Sequence, residues 1–139
     1  MLYRALGVVA LALVVSAGSA SAQTGAPAAN EPVSRERPLS EWIVDLKAAA
    51  PVIRNAAAYE IAGMGPAAAA AVPALIEALD DPLAVVRFPV TVALGEIGPG
   101  AVAAVPRLKQ MMEEDLNDDV AAAARRAVRH IQPSALAGQ

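Results

Sequence analysis

The apolar positions of residues 72–99, VPALIEALDDPLAVVRFPVTVALGEIGP, fall at helical spacing in two blocks separated by a polar turn. Leu75, Ile76 and Leu79 share one face of the first block; Val86, Val90, Ala93, Leu94 and Ile97 share one face of the second. The spacing predicts a helix from Val72 to Leu79 and a longer one from about Leu83 to Ile97. The punctuation agrees. Pro73 suits a first turn, where its missing N–H has no partner to lose. Asp80-Asp81-Pro82 turns the chain, and Asp81 is the expected N-cap of the second helix, its carboxylate accepting free N–H groups. Gly98 can adopt the positive φ that ends a helix, and Pro99 cannot continue one. So short a hairpin cannot bury this seam alone and needs copies of itself on either side.

The copies are present. Val72-Pro73 returns as Val105-Pro106, 33 positions on, and Gly98-Pro99 repeats Gly65-Pro66 at the same offset of 33. Leu39-Ser40-Glu41-Trp42-Ile43 aligns with Val72-Pro73-Ala74-Leu75-Ile76. The third copy gains one residue in its turn, so Ile97 matches Ile131. The units are 39–71, 72–104 and 105–138. A fixed period of roughly 20–50 residues, each unit a helical pair, marks a solenoid. The fold class expected is therefore all-α, an α-α superhelix of three hairpins.

The run Asp81-Pro82 through Val86-Arg87, followed by Ala93-Leu94-Gly95, Ile97-Gly98-Pro99 and Ala104-Val105-Pro106, resembles the HEAT repeat. More narrowly it resembles the short type called PBS lyase HEAT-like. The resemblance spans about residues 39–133 and is closest in the middle unit. The first unit keeps Ile53-Arg54 and Met64-Gly65-Pro66 but lacks the turn Asp; the last has Val120-Ala121 for Val-Arg and Gln132 for Gly. The resemblance implies that Arg54 and Arg87 pair with an Asp of the neighbouring turn, so that Arg87 reaches Asp115. It also implies that the second helices line a concave surface where partners bind.

Composition narrows the chemistry. Hydrophobic residues make up 56% of the chain but aromatics only 3%, so the core is built of small side chains in closely packed helices. A net charge of −3 does not suit a polyanion partner, and nucleic acid is not expected. With no cysteine there is no disulfide, thiolate nucleophile or Cys-based metal site.

Residues 1–22 read as a signal peptide: Arg4, an apolar run from Ala5 to Val15, then Ala20-Ser21-Ala22 with cleavage before Gln23. The alternative is a retained anchor, but the run is short for a span, which takes about 20 residues. A periplasmic or secreted protein is expected, without stable membrane insertion after cleavage. Residues 23–38, QTGAPAANEPVSRERP, lack an apolar period and read as a disordered linker, with Ser34-Arg35-Glu36-Arg37 as a spacer or docking segment. Ser40 is the expected N-cap of a helix over 41–48. Trp42 shares the register of Leu75 and Leu108 and is read as core, or as a cover for the open end of the stack.

No catalytic constellation stands out. His130 is the sole His, and no phosphate-cradling loop follows a strand. Asp115-x-Asn117-Asp118-Asp119 lacks the Gly and distal Glu of a calcium loop. No metal, cofactor or enzymatic activity is expected. Partner binding is expected instead on columns of the second helices outside the seam: Asn55, Phe88, Ala122; Tyr59, Val92, Arg126; Gly63, Glu96, His130. Successive columns lie four residues apart and form one stripe. Tyr59, Phe88, Val92, Glu96, Arg126 and His130 are the candidate site. Phe88 and Val92 are apolar where exposure is expected, which suggests a binding surface. Otherwise Phe88 belongs to the core, or the linker or a dimer partner covers the pair. The function expected is an exported, non-enzymatic protein-interaction module. The alternative implied by the family resemblance is a bilin lyase or lyase accessory.

Overall fold

The computed structural model describes residues 30–138. The expected signal peptide, its cleavage site and the first part of the expected linker lie outside the described residues. The fold is an all-α solenoid of three helical pairs. α1 (Leu39–Asp45) and α2 (Pro51–Met64) form the first, α3 (Val72–Ala78) and α4 (Ala84–Ile97) the second, α5 (Val105–Glu114) and α6 (Asp118–Ile131) the third. The second helices pack in series, α2 on α4 and α4 on α6. Short 3-10 segments, Gly65–Ala71 and Gly98–Ala104, carry the chain from one unit to the next.

The boundaries follow from local chemistry. Pro51, Pro73 and Pro106 occupy the first turns of α2, α3 and α5. Gly65 and Gly98 end α2 and α4 with φ of 57° and 73°, a region that disfavours any side chain. The third unit has Gln132 at that place with φ −148°, and the chain passes instead into the short 3-10 turn Pro133–Leu136. In the connectors Ala68, Ala71, Ala101 and Ala104 are fully buried. Their methyl groups let the units approach closely.

The seam forms as the spacing requires. Leu75, Leu79, Val86, Val90, Ala93 and Leu94 are wholly buried, and Ile97 nearly so; Ile76 is half-buried at the margin. α4 and α6 approach tightly at Gly95: a β-carbon there would meet the Cα of Ala127 at 3.2 Å. That contact explains a helix-interior glycine that otherwise weakens a helix by about 1 kcal/mol.

Two caps differ from expectation. α4 opens after Leu83, not Asp81; Asp81 sits two residues earlier and its Oδ1 accepts the Leu83 N–H at 3.0 Å. Its other duty, described below, holds it in the turn. α1 opens at Leu39, so Ser40 lies inside the helix. The Glu31 carboxylate accepts the Ser40 N–H, and the Pro32 carbonyl accepts that of Leu39 at 2.9 Å.

That capping role belongs to a segment expected as disordered linker. Its described part carries structure. β1 (Val33–Ser34) and β2 (Arg37–Pro38) pair antiparallel around Arg35-Glu36, both at positive φ (49° and 62°). Such a turn normally uses Asn or Gly, and each ordinary residue there costs roughly 1 kcal/mol. Contacts with the first unit offset the cost. Ser34 Oγ donates to Glu60 Oε2 at 2.6 Å, and Arg35 pairs with Glu60 at 2.7 Å. Arg37 lies over the Trp42 ring, 4.0 Å from its centroid, and bonds Glu41 and Asp45. Trp42 is buried in the core and gives its indole N–H to the Ser34 carbonyl.

Candidate functional site

Pro89 sets the local geometry of the candidate face. Placed inside α4, it has no N–H to give the Val85 carbonyl. Asn55 of the preceding unit supplies the missing donor: its Nδ2 reaches the Val85 oxygen at 2.6 Å. The bond joins α2 to α4 where the chain leaves the turn. It also holds Val85, 59% exposed, beside Phe88.

The six expected site residues lie around two neighbouring depressions. The larger, of about 600 Å³, is lined by Tyr59, Phe88 and Arg126 together with Asn55, Val85 and Asp119. The smaller, of about 180 Å³, lies between α4 and α6 and is lined by Val92, Glu96, Arg126 and His130. Arg126 borders both. Tyr59 is half exposed, Val92 partly buried, and Glu96, Arg126 and His130 are exposed. Phe88 is partly buried: it packs against the core margin and also lines the groove, so the two expectations for it were not exclusive. Gly63 lines neither depression, and Ala122 is exposed beyond the groove.

Sequence reasoning missed Ala84, Val85, Asn117 and Asp119 as lining residues. Val85 was available in principle. It precedes Phe88 by three positions and Val92 by seven, the spacing of one helix face. Asn117 owes its place to the turn: its Oδ1 accepts the Val120 N–H at 3.1 Å as the N-cap of α6.

The expected ladder is present on the turn edge. Arg87 holds Asp115 through two bonds of 2.9 Å, and Arg54 holds Asp81 at 2.6 and 3.2 Å. Each guanidinium also bonds the two carbonyls that precede its own helix: Ala48 and Ala49 for Arg54, Asp81 and Pro82 for Arg87. The Arg87 guanidinium holds the Asp115 carboxyl below the usual carboxylate range against the opposing effect of burial. Burial pushes the Asp81 carboxyl up, but Arg54 and the Leu83 N–H outweigh it, and its pKa is lowered too. In a depression of about 370 Å³ beside these groups, Asp80, Asp81, Arg87, Arg107 and Asp115 of the wall are each held in an ion pair. Asp115, in the acidic turn, is thus committed to Arg87. Among the described residues no three His, Cys, Asp or Glu side chains are placed to hold a metal.

Charge on the candidate face is of another kind. Among the described residues its Arg126 takes part in no ion pair, nor do Arg125 and Arg129 elsewhere on α6, whereas the other arginines do. Helical pairs at a fixed period, with an Arg–Asp rung between successive units, are the mark of a repeat protein. The family described as HEAT repeats matches residues 39–129. The chain belongs to the HEAT repeat family. Repeats of this family generally mediate protein–protein interaction. No curated protein matches the chain.

Proposed function

We propose that this HEAT repeat protein is an exported, non-enzymatic interaction module that grips a peptide or protein segment in the groove beside Phe88. One observation carries the reading: Phe88, Tyr59 and Val85 present apolar surface in a groove of about 600 Å³ whose rim holds Arg126, a cation without a carboxylate partner among the described residues. Aromatic anchors beside Arg are the side chains that most often carry interface energy. The arginines needed for the fold are spent on Asp81 and Asp115. Export rests on the Ala20-Ser21-Ala22 motif.

The test uses the protein expressed from its own start in a bacterium. It should be recovered outside the cytoplasm with Gln23 at its N-terminus. Partners captured by the parent and identified by mass spectrometry should bind Phe88→Ala more weakly by about 1–3 kcal/mol. Unchanged affinity per folded molecule, with a large drop in melting temperature, would assign Phe88 to the core alone. Bilin retained by the protein on co-expression would favour the lyase alternative instead.

A further inference from the structure

The two ends of the solenoid are finished differently. The position occupied by Ile53, Val86 and Val120 faces the preceding unit: Val86 and Val120 are wholly buried, while Ile53 is 42% exposed. Ala56, Pro89 and Ala123 follow the same rule, with Ala56 exposed and the other two buried. α2 therefore presents the surface that a preceding unit would cover. Among the described residues this face carries no unpaired charge. Arg54 turns to Asp81 on the other side, and Glu60 is taken by Ser34 and Arg35 of the hairpin.

At the far end the corresponding positions carry charge. Ala58 and Thr91 are wholly buried against the following unit, but Arg125 replaces them in the last. Gly95 is buried, and Arg129 stands in its place, exposed. Terminal repeats ordinarily need a polar outer face for solubility. α6 has one, and α2 lacks one at Ile53 and Ala56.

We propose that the α2 face is an interface between two copies of this chain, packed first unit to first unit about a two-fold axis. The stacking surfaces inside the chain show what this face is built to meet, namely the apolar side of another second helix. Of the surfaces a second copy offers, its own α2 matches. Head-to-tail stacking would press Arg125 and Arg129 onto Ile53 and Ala56 and bury two cations without partners. A two-fold contact also closes on itself, where head-to-tail stacking would propagate into filaments. Tyr59 lies three residues from Ala56 on α2, so pairing brings the two Phe88 grooves onto one assembly and lets a two-site partner bind with avidity.

Because the chain has no cysteine, single introduced thiols report the geometry directly. The protein purified after expression from Met1 should sediment as a concentration-dependent monomer–dimer pair. Ala56→Cys should cross-link to a dimer with a short bismaleimide, and Arg125→Cys should not. Ile53→Glu should weaken dimerisation by at least about tenfold, since it buries an unpaired charge, with the melting temperature of the monomer kept. Val102→Glu, another exposed apolar position, should leave the dimer intact. A monomer at all concentrations, a dimer indifferent to Ile53→Glu, or cross-links formed only in mixtures of Ala56→Cys and Arg125→Cys would each overturn the proposal.

Discussion

Leu94 and Asn55 both hold α4, but by different physics. Leu94 is wholly buried in the seam with a unit on each side. Leu94→Ala should cost about 2–5 kcal/mol, the range for a buried leucine whose cavity closes only in part. Urea unfolding checks it, and a loss below about 1 kcal/mol would mean that the site collapses or the seam is loose. Asn55 works through a single bond to the carbonyl that Pro89 orphans. Asn55→Leu should cost about 1 kcal/mol, the usual net worth of a hydrogen bond, because water reaches that oxygen. No change would show that water replaces the amide fully. The sequence disclosed the first residue and not the second. Leu94 repeats with Ile61 and Val128, so its burial follows from period alone. Asn55 aligns with Phe88 and Ala122, and its partner is a backbone atom in the next unit, which no pattern of side chains reveals.

Between elements, the Arg–Asp rungs set both register and acid sensitivity. Arg54 ties α2 to the turn before α4, and Arg87 ties α4 to the turn before α6. A bidentate fork fixes orientation as well as distance, so lysine would not substitute at either position. Both Asp carboxyls titrate below their unfolded value of about 3.9. A depressed folded pKa means that the native state holds the charged form more strongly than the unfolded chain does. The stabilisation is thus complete above about pH 5 and is lost as pH falls below about 4, through the folded values. Stability measured by urea at pH 7, 5 and 3 should be level over the first interval and fall over the second. Arg87→Ala should cost about 3 kcal/mol at pH 7, since it strands the Asp115 carboxylate. The variant should then lose less between pH 5 and 3 than the parent, because protonation relieves the stranded group. An equal or steeper fall would remove Asp115 from the acid response. These rungs were legible because Arg54 and Arg87 recur at the repeat period. The caps were not. An Asp before a Pro reads as an N-cap, yet Asp81 spends its second oxygen on Arg54 and caps the turn two residues early.

Taken whole, the molecule is a stack whose units complete one another. Three units follow from the 33-residue offset, and the helices begin and end within a few residues of the expected places. The hairpin over 33–38 was hidden for a physical reason. Arg35-Glu36 has no intrinsic preference for positive φ, and contacts outside the turn hold it there, from Glu60, distant in sequence, and from Glu41, Trp42 and Asp45 on α1. The same dependence on distant partners governs the third unit. Without residues 105–139, α4 loses α6 from Gly95 and Thr91, Arg87 loses Asp115, and the buried side of the Gly98–Ala104 connector opens to water. Two units also fall short of the three that a solenoid needs to bury a continuous core. A chain ending at Ala104 should therefore show reduced helicity by circular dichroism and melt without a sharp transition. If it melted as cooperatively as the parent, the first two units would form a self-sufficient core, and the third would be an appendage that serves the groove by lending it Arg126 and Asp119.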